Sequence, residues 1–427
     1  MKTWRRCLFA AASCAVMWNS MRSGLVCAAQ PEVTEGVSAA LSLADIERFT
    51  LEHHPALNEA GAEIEVARGK AVQAGLYPNP IWYAASPQWA GNISQYNTFL
   101  GQDFITGSKL KLDQQAAHRS MWQQEWQAVQ TRQDVLKSVR QAFYVAVVAE
   151  QRLKVYAQML AIAEKSSALS NDLLKAGEIS QADVLSLETE AQLAQTNLDN
   201  AEVQWSASQR KLAAATGVPQ WQATSLQANL KAELPEYDED SLREVVLADH
   251  SLSQRSRIEI DRMGVLHTRA CREVIPNVNV QAGYQRSVDP SVSPGLRDQG
   301  YFQVGVTVPL WDRNQGNIHA AENDIARASA ALKRVEADLS QQVTDAVAQY
   351  RVAAKLVKRY ETEVLPRARR VLTLNQQLFK QGQTDFLRLF QAQRSLAEAE
   401  LKYLDAQGER WQAAAAIAAL QRRDQFP

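Results

Sequence analysis

The sequence predicts a mainly α protein with a small β part: long coiled-coil hairpins joined to four short strands of a membrane-barrel kind. Three observations predict it. The chain runs through one order of elements twice. Its long apolar seams step by threes and fours. Two pairs of short stretches alternate with period two.

The N-terminus comes first. "MKTWRR" is a basic start, "LFAAASCAVMW" an apolar stretch of export-signal size, and "VCAAQ" offers small residues for cleavage near Ala28 or Ala29, so residues 1–29 read as a signal peptide. Cys27 follows Val26 rather than a small residue, which argues against a lipid anchor. Cleavage leaves Cys271 as the one cysteine, and a lone cysteine permits no internal disulfide. No later run of roughly twenty apolar residues offers a transmembrane helix. An exported chain without one is secreted, periplasmic, or crosses a membrane as a β-barrel. The 427 residues carry 46 basic and 47 acidic side chains, a balance that argues against nucleic acid as a partner. Richness in Ala, Gln, Leu, Glu and Arg favours helix.

Internal repetition sets the organisation. "KAGEISQADVL" (175–185) resembles "KQGQTDFLRLF" (380–390), "LYPNPIWYAA" (76–85) resembles "VIPNVNVQAG" (274–283), and "LEHHPAL" (51–57) loosely resembles "LADHSLS" (247–253). One repeat spans 41–217 and the other 241–423. A Pro-bounded linker, 218–240, with short strands, lies between them. Each repeat reads as a helix of moderate length, two strands, a very long helix, a sharp turn and a second long helix. The strands are placed at about 79–86 and 96–105, then 277–286 and 301–310. The hairpins are placed at 108–217 and 316–423.

The first long helix, from Ser108 to Ala176, would measure roughly 100 Å. Its seam is Val135, Val139, Ala142, Ala146, Ala149, Leu153, Tyr156, Leu160 and Ala163. The returning helix answers with Val184, Leu187, Ala191, Ala194, Leu198, Ala201, Trp205, Ser208 and Leu212. The second repeat has Leu339, Val343, Ala346, Tyr350, Ala353, Val357, Tyr360 and Val364. Its partner helix carries Leu389, Ala392, Leu396, Ala399, Tyr403, Ala406, Ala413 and Ile417, interrupted by Arg410. Sustained seams of this kind mean coiled-coil packing, and the many alanines allow close approach. Pro366 should kink or break its helix, near a place where the register between the repeats slips by one residue. The turns are sharp: Gly177 suits a left-handed C-cap and Ser180 an N-cap, with Gly382 and Asp385 in the same roles. By residue count these turns lie at the end of the hairpins opposite the strands.

In "PNVNVQAGYQR" (276–286), Val278 and Val280 fall on one side, and Asn279 and Gln281 on the other. In "YFQVGVTVPL" (301–310), Val304 and Val306 alternate with Gln303 and Thr307. Both have the length of a tilted membrane-spanning strand. The first pair alternates less cleanly and offers Trp82, Tyr83, Tyr96 and Phe99 as interfacial aromatics. Four strands are too few for a sandwich and cannot close a barrel, and open edges are not tolerated in lipid. Other copies of the chain must therefore complete the barrel. Val278, Val280, Val304 and Val306 are expected to face lipid, and Asn279, Gln281, Gln303 and Thr307 the lumen.

On "LYPNP", "KAGEISQADVL", "VLPRA", "ARGKAVQAGLYPNP" (67–80) and "VPLWDRNQGNIHAA" (308–321), the chain resembles the TolC-like outer-membrane efflux factors. The last two motifs look most like the branch serving cobalt–zinc–cadmium cation exporters. The resemblance implies a homotrimer whose twelve-stranded barrel continues into an α-helical tunnel across the periplasm. It also implies docking to a periplasmic adaptor and an inner-membrane pump of RND type. In this family the hairpin tips meet the adaptor, which points to Lys175, Gly177, Ser180, Lys380, Gly382 and Asp385. Glu178, Asp183 and Asp385 are candidate acids around the entrance.

No chemistry of an enzyme is legible. The histidines His53, His54, His118, His250, His267 and His319 are scattered and read as solvated or capping residues. No His-x-x-x-His or Cys-x-x-Cys pair marks a metal. No phosphate-binding glycine loop and no nucleophile–histidine–acid motif is present. The expectation is therefore no catalytic residue, no cofactor and no bound metal. The reading is a passive outer-membrane exit duct with a long periplasmic portion, carrying heavy-metal cations. The alternatives are the same duct for drugs or a secreted polypeptide, or a periplasmic coiled-coil adaptor, which should lack the two strand pairs.

Overall fold

The computed structural model describes residues 41–427 apart from 89–93, 176, 178, 222–224, 290, 295–296, 382, 384–385, 425 and 427. The signal peptide expected at 1–29 lies outside these residues. In chain order the elements are β1 (Leu41–Ser42), α1 (Leu43–His53), α2 (Pro55–Ala74), β2 (Ile81–Gln88), β3 (Gln95–Phe104), α3 (Lys109–Lys175) and α4 (Gln181–Ala215). Then come β4 (Leu226–Gln227), α5 (Glu239–Asp249), α6 (Ser251–Arg272), β5 (Val278–Ser287), β6 (Asp298–Val306), α7 (Gln315–Arg359), a π-helical turn (Tyr360–Val364), α8 (Leu365–Lys380) and α9 (Phe386–Leu420). Among the described residues no helix is long and apolar enough to cross a membrane.

The helical seams are buried where the three-four stepping puts them. Val139, Ala146, Leu212, Val343, Ala353 and Ile417 are each no more than 1% exposed. The helices also bury a second face. Phe143, Tyr144 and Val147 of α3 gather with Ile46 of α1, Leu230 of the linker and Trp411 of α9. In the second half Leu242 and Val246 of α5 cover Leu339, Val343 and Val347 of α7 and Ile417 of α9. The long helices thus pack as a pair along their length and gain a third layer where α1 and α5 cross them. The linker contributes to this layer. Leu226–Gln227 pairs in parallel with Leu41–Ser42, and the Leu230 carbonyl accepts from the Trp411 indole at 3.0 Å.

Arg140 anchors the C-terminal tail to this layer. Its side chain is fully buried. Nε donates to Glu47 Oε1 at 2.6 Å, Nη1 to the Arg423 carbonyl at 3.1 Å and Nη2 to the Asp424 carbonyl at 2.7 Å. The guanidinium also stacks over the Phe426 ring. Each of its three nitrogens donates to an acceptor, and a charge partner is present, which is how a buried charge is tolerated.

Three details differ from the reading of the sequence. The moderate helix opening each half is two helices, broken at His54 and at His250. Each histidine ends one helix and caps the next: His54 Nδ1 accepts from the Ala56 amide and His250 Nδ1 from the Leu252 amide, both at 3.2 Å. At Pro366 the helix does not break. Proline lacks an amide donor, and the preceding turn widens so that the Leu365 amide reaches the Tyr360 carbonyl five residues back. That turn accommodates one extra residue, which accounts for the one-residue slip between the repeats. Finally, β6 ends at Val306, before Pro309, and not at 310. It gains instead at its start, where Asp298 pairs with Arg286. Thr307 lies just past the strand.

Candidate functional site

The four long strands form one antiparallel sheet in the order β2-β3-β5-β6, so the strand pairs of the two halves join through β3 and β5. Antiparallel partners share a face. Val278 pairs with Val306 and Phe104, and Val280 with Val304 and Gln102. The four valines therefore share one face, along with Trp82, Leu100 and Phe302. Trp82 is 71% and Phe302 69% exposed. This face carries no charge from Val278 to Ala282. It ends in a polar group at the loop end, where Arg286 pairs with Asp298 at 3.7 Å and Tyr284 donates to Asp298.

The opposite face carries Asn279, Gln281 and Gln303. Asn279 donates to Asp103 Oδ1 at 2.6 Å, and Gln281 to Asn279 Oδ1 at 3.0 Å. Asp103 is a member of this face that alternation alone did not single out. Tyr83 and Phe99 also stand here, stacked at 4.5 Å between ring centroids, with Tyr301 inclined to Phe99 at 6.0 Å. They pack across Gly283. A Cβ there would lie 2.5 Å from Phe99 Cβ and from the Thr98 carbonyl, so only glycine fits. Of the expected interfacial aromatics, Trp82 and Tyr96 share the valine face and Tyr83 and Phe99 the amide face. The first pair alternates weakly because its aromatics stand on both faces; separately, the β2–β3 register is irregular between Ala85 and Gln88.

The motifs around the strands build the junction to the helices. Asn277 Oδ1 accepts from the Thr106 amide at 3.3 Å and from Lys109 Nζ at 3.0 Å, while Thr106 Oγ1 donates to the Pro276 carbonyl. Lys109 is 2% exposed and also approaches Glu273 Oε1 at 3.6 Å. Asn314 adopts a left-handed backbone (φ 62°) at the start of α7 and donates to the Ala270 carbonyl at 2.8 Å. The run after β6 stays uncovered: Val308, Leu310 and Trp311 are 68%, 58% and 87% exposed. At the opposite edge of the sheet, Leu76 and Tyr77 before β2 are exposed as well.

The first hairpin tip lies at the far end of α3. Lys175 closes the helix and pairs with Asp172 at 3.3 Å on the surface. Gly177 has φ +74°, donates its amide to the Leu174 carbonyl at 3.0 Å, and has open space where a Cβ would stand. Ser180 and Asp183 form a reciprocal cap at the start of α4. Ser180 Oγ accepts from the Asp183 amide, and Asp183 Oδ2 accepts from the Ser180 amide at 3.0 Å and hydroxyl at 2.7 Å. These bonds hold the Asp183 carboxyl below the usual carboxylate range. Asp183 is thus exposed but engaged in its own helix start. At the second tip, α8 ends at Lys380 and the Gln383 amide reaches the Leu378 carbonyl at 2.9 Å. Gly382, Asp385 and Glu178 lie outside the described residues.

Residues 268–421 match the model of the family described as "Outer membrane efflux protein". Along 381 residues the chain is 25% identical to the cobalt-zinc-cadmium resistance protein CzcC of Cupriavidus metallidurans, covering 89% of this chain and 88% of that protein. Its fold matches that of CusC with a TM-score of 0.76 at 15% identity, over 89% of this chain and 91% of that one. It also matches the MtrE outer membrane channel of Neisseria gonorrhoeae, solved in its open state, with a TM-score of 0.74 at 17% identity over 89% and 88% of the two chains. The family match spans β5, β6 and the second hairpin, and the fold is that of CusC and MtrE along nearly nine-tenths of the chain, so the chain is similar to the outer membrane efflux proteins.

Proposed function

We propose that this chain is the outer-membrane exit duct of a tripartite efflux system, formed by three copies whose sheets close into a twelve-stranded barrel. The observation that carries the reading is the sheet itself. Its outer strands β2 and β6 are unpaired on one side, its valine face is exposed, and apolar residues beside both edges stand uncovered. Lipid does not tolerate open strand edges. Joining β6 of one copy to β2 of the next satisfies both edges and covers Leu310, Trp311, Leu76 and Tyr77 together. The valine face then meets lipid. The amide face, with Asn279, Gln281 and Gln303, lines water. Thr307 continues that line past the strand.

The duct does no chemistry of its own. Its helices carry the passage down through the periplasm to the hairpin tips, where Lys175, Gly177 and Ser180, with Lys380, Gly382 and Asp385, meet the adaptor of an RND-type pump. Glu178, Asp183 and Asp385 are the acids that would attract cations at the entrance, and Asp183 also caps its own helix. Heavy-metal cations are the cargo supported by the CzcC likeness. Deleting the gene should sensitise the cell to cobalt, zinc or cadmium. Sensitivity to organic compounds alone would replace the cargo and keep the duct.

Labelling separates the two faces. Single cysteines at Val280 or Val304 should resist a water-soluble maleimide in intact outer membrane, and those at Gln281 or Gln303 should react. An arginine at Val280 should cost roughly 2–4 kcal/mol near the bilayer midplane. Equal labelling of both faces would contradict the assignment.

A further inference from the structure

Cys271 sits exposed in the last turn of α6 and is the free cysteine among the described residues. Its Sγ lies 3.7 Å from His267 Nε2, one turn back on the same helix. The same Nε2 lies 3.7 Å from Oε1 of Glu322, which reaches across from α7. The second oxygen of Glu322 is 3.7 Å from His319 Nδ1. A thiol, an imidazole, a carboxylate and a second imidazole therefore follow one another across the α6–α7 seam. The spacing explains the meeting: residues four apart on α6 and three apart on α7 share a helix face. None of the four serves as core. His267 is 29%, Glu322 57% and His319 79% exposed at the side chain.

We propose that Cys271, His267 and Glu322 bind a single thiophilic divalent cation such as Zn2+ or Cd2+. Water fills the fourth position, and His319 holds the free oxygen of Glu322. A tetrahedral zinc ion, with Zn–S of about 2.3 Å and Zn–N and Zn–O of about 2.0–2.2 Å, places sulfur and nitrogen about 3.6 Å apart and nitrogen and oxygen about 3.4 Å apart. The gaps here are 3.7 Å in both cases. Among the described residues no three such side chains already surround one point. Binding therefore requires Cys271 and Glu322 to turn toward His267, which their exposure allows. On binding, the Cys271 thiol gives its proton to solvent and the thiolate becomes the metal ligand. A thiolate and an imidazole select zinc and cadmium over magnesium or calcium, which prefer all-oxygen sites. The site does not rest on the cargo reading, since a duct for organic compounds can carry it equally.

The test is a Co2+ titration of the purified full-length protein in detergent, prepared without a polyhistidine tag. One Co2+ per chain should bind, with a thiolate-to-cobalt charge-transfer absorption that Zn2+ abolishes by displacement. Cys271→Ser should lose that absorption. His267→Ala and Glu322→Gln should keep it at saturation and weaken binding by about tenfold or more; His319→Ala should weaken it less. All four positions are on the surface, so each variant should elute from gel filtration as the wild type does. Absence of the charge-transfer absorption in the wild type would overturn the proposal. So would affinities for His267→Ala and Glu322→Gln equal to the wild type, which would leave only a solitary thiol binding metal.

Discussion

Arg140 shows how much of this fold depends on single polar residues inside helical packing. It joins α1 through Glu47, α3 through its own backbone and the C-terminal tail through two carbonyls. Arg140→Ala leaves Glu47 and both carbonyls without their donor in a dry layer. Removing one partner of a buried ion pair typically costs about 3–5 kcal/mol, and a loss of that size is expected in chemical denaturation of the purified protein. A change under about 1 kcal/mol would mean that water reaches the site.

The two capping histidines give a pH dependence whose sign is fixed. Burial, and then Arg422, lower the pKa of His250, against a smaller opposite effect of Asp134. Its neutral Nδ1 accepts the Leu252 amide, which a protonated ring cannot do. With the folded pKa below the unfolded one, His250 contributes stability above about pH 6.5 and loses it as the pH falls from there. The thermal midpoint should drop on that acid limb, and His250→Asn, which caps without titrating, should drop less. An identical acid limb in the variant would remove His250 as its source. Nothing in the local sequence announced Arg140, because its partners are far away in the chain. "LEHHPAL" and "LADHSLS" did mark equivalent places, but the helix breaks there depend on which nitrogen faces which amide.

The helical hairpins were legible because a seam is written locally, three and four residues at a time, and burial follows it. Their second buried face was not, since it exists only where α1, α5 and the linker cross. The strands were legible in type but not in their ends. Proline limits at Pro80 and Pro309 and the partner strand decide where a ladder stops, and Gly283 has meaning only once Phe99 lies over it. The tip turn separates two roles for one glycine. Gly177 has φ +74° and open space beyond its Cα. Any side chain there meets the left-handed penalty, about 1–2 kcal/mol, and a Cβ itself meets open space. Gly177→Ala and Gly177→Trp should then give similar yields of folded protein. If the tip docks an adaptor, only the tryptophan should abolish export. Export lost equally in both would make the glycine a cap and nothing more.

At the scale of the whole molecule, the chain leaves a four-stranded sheet with two free edges and two sets of uncovered apolar residues beside them. The His267–Cys271 and His319–Glu322 pairs show the limit of motif searching at this scale. Each is a mixed pair on one helix, and only the packing of α6 on α7 brings them together. The proposed closure of the sheet likewise rests on what one copy lacks. Native mass spectrometry of the protein extracted from outer membrane tests it most directly. Three copies per particle, with no inserted species of lower order, is the predicted result. A stable, membrane-inserted monomer would contradict the account, because its strand edges would then stand open in lipid.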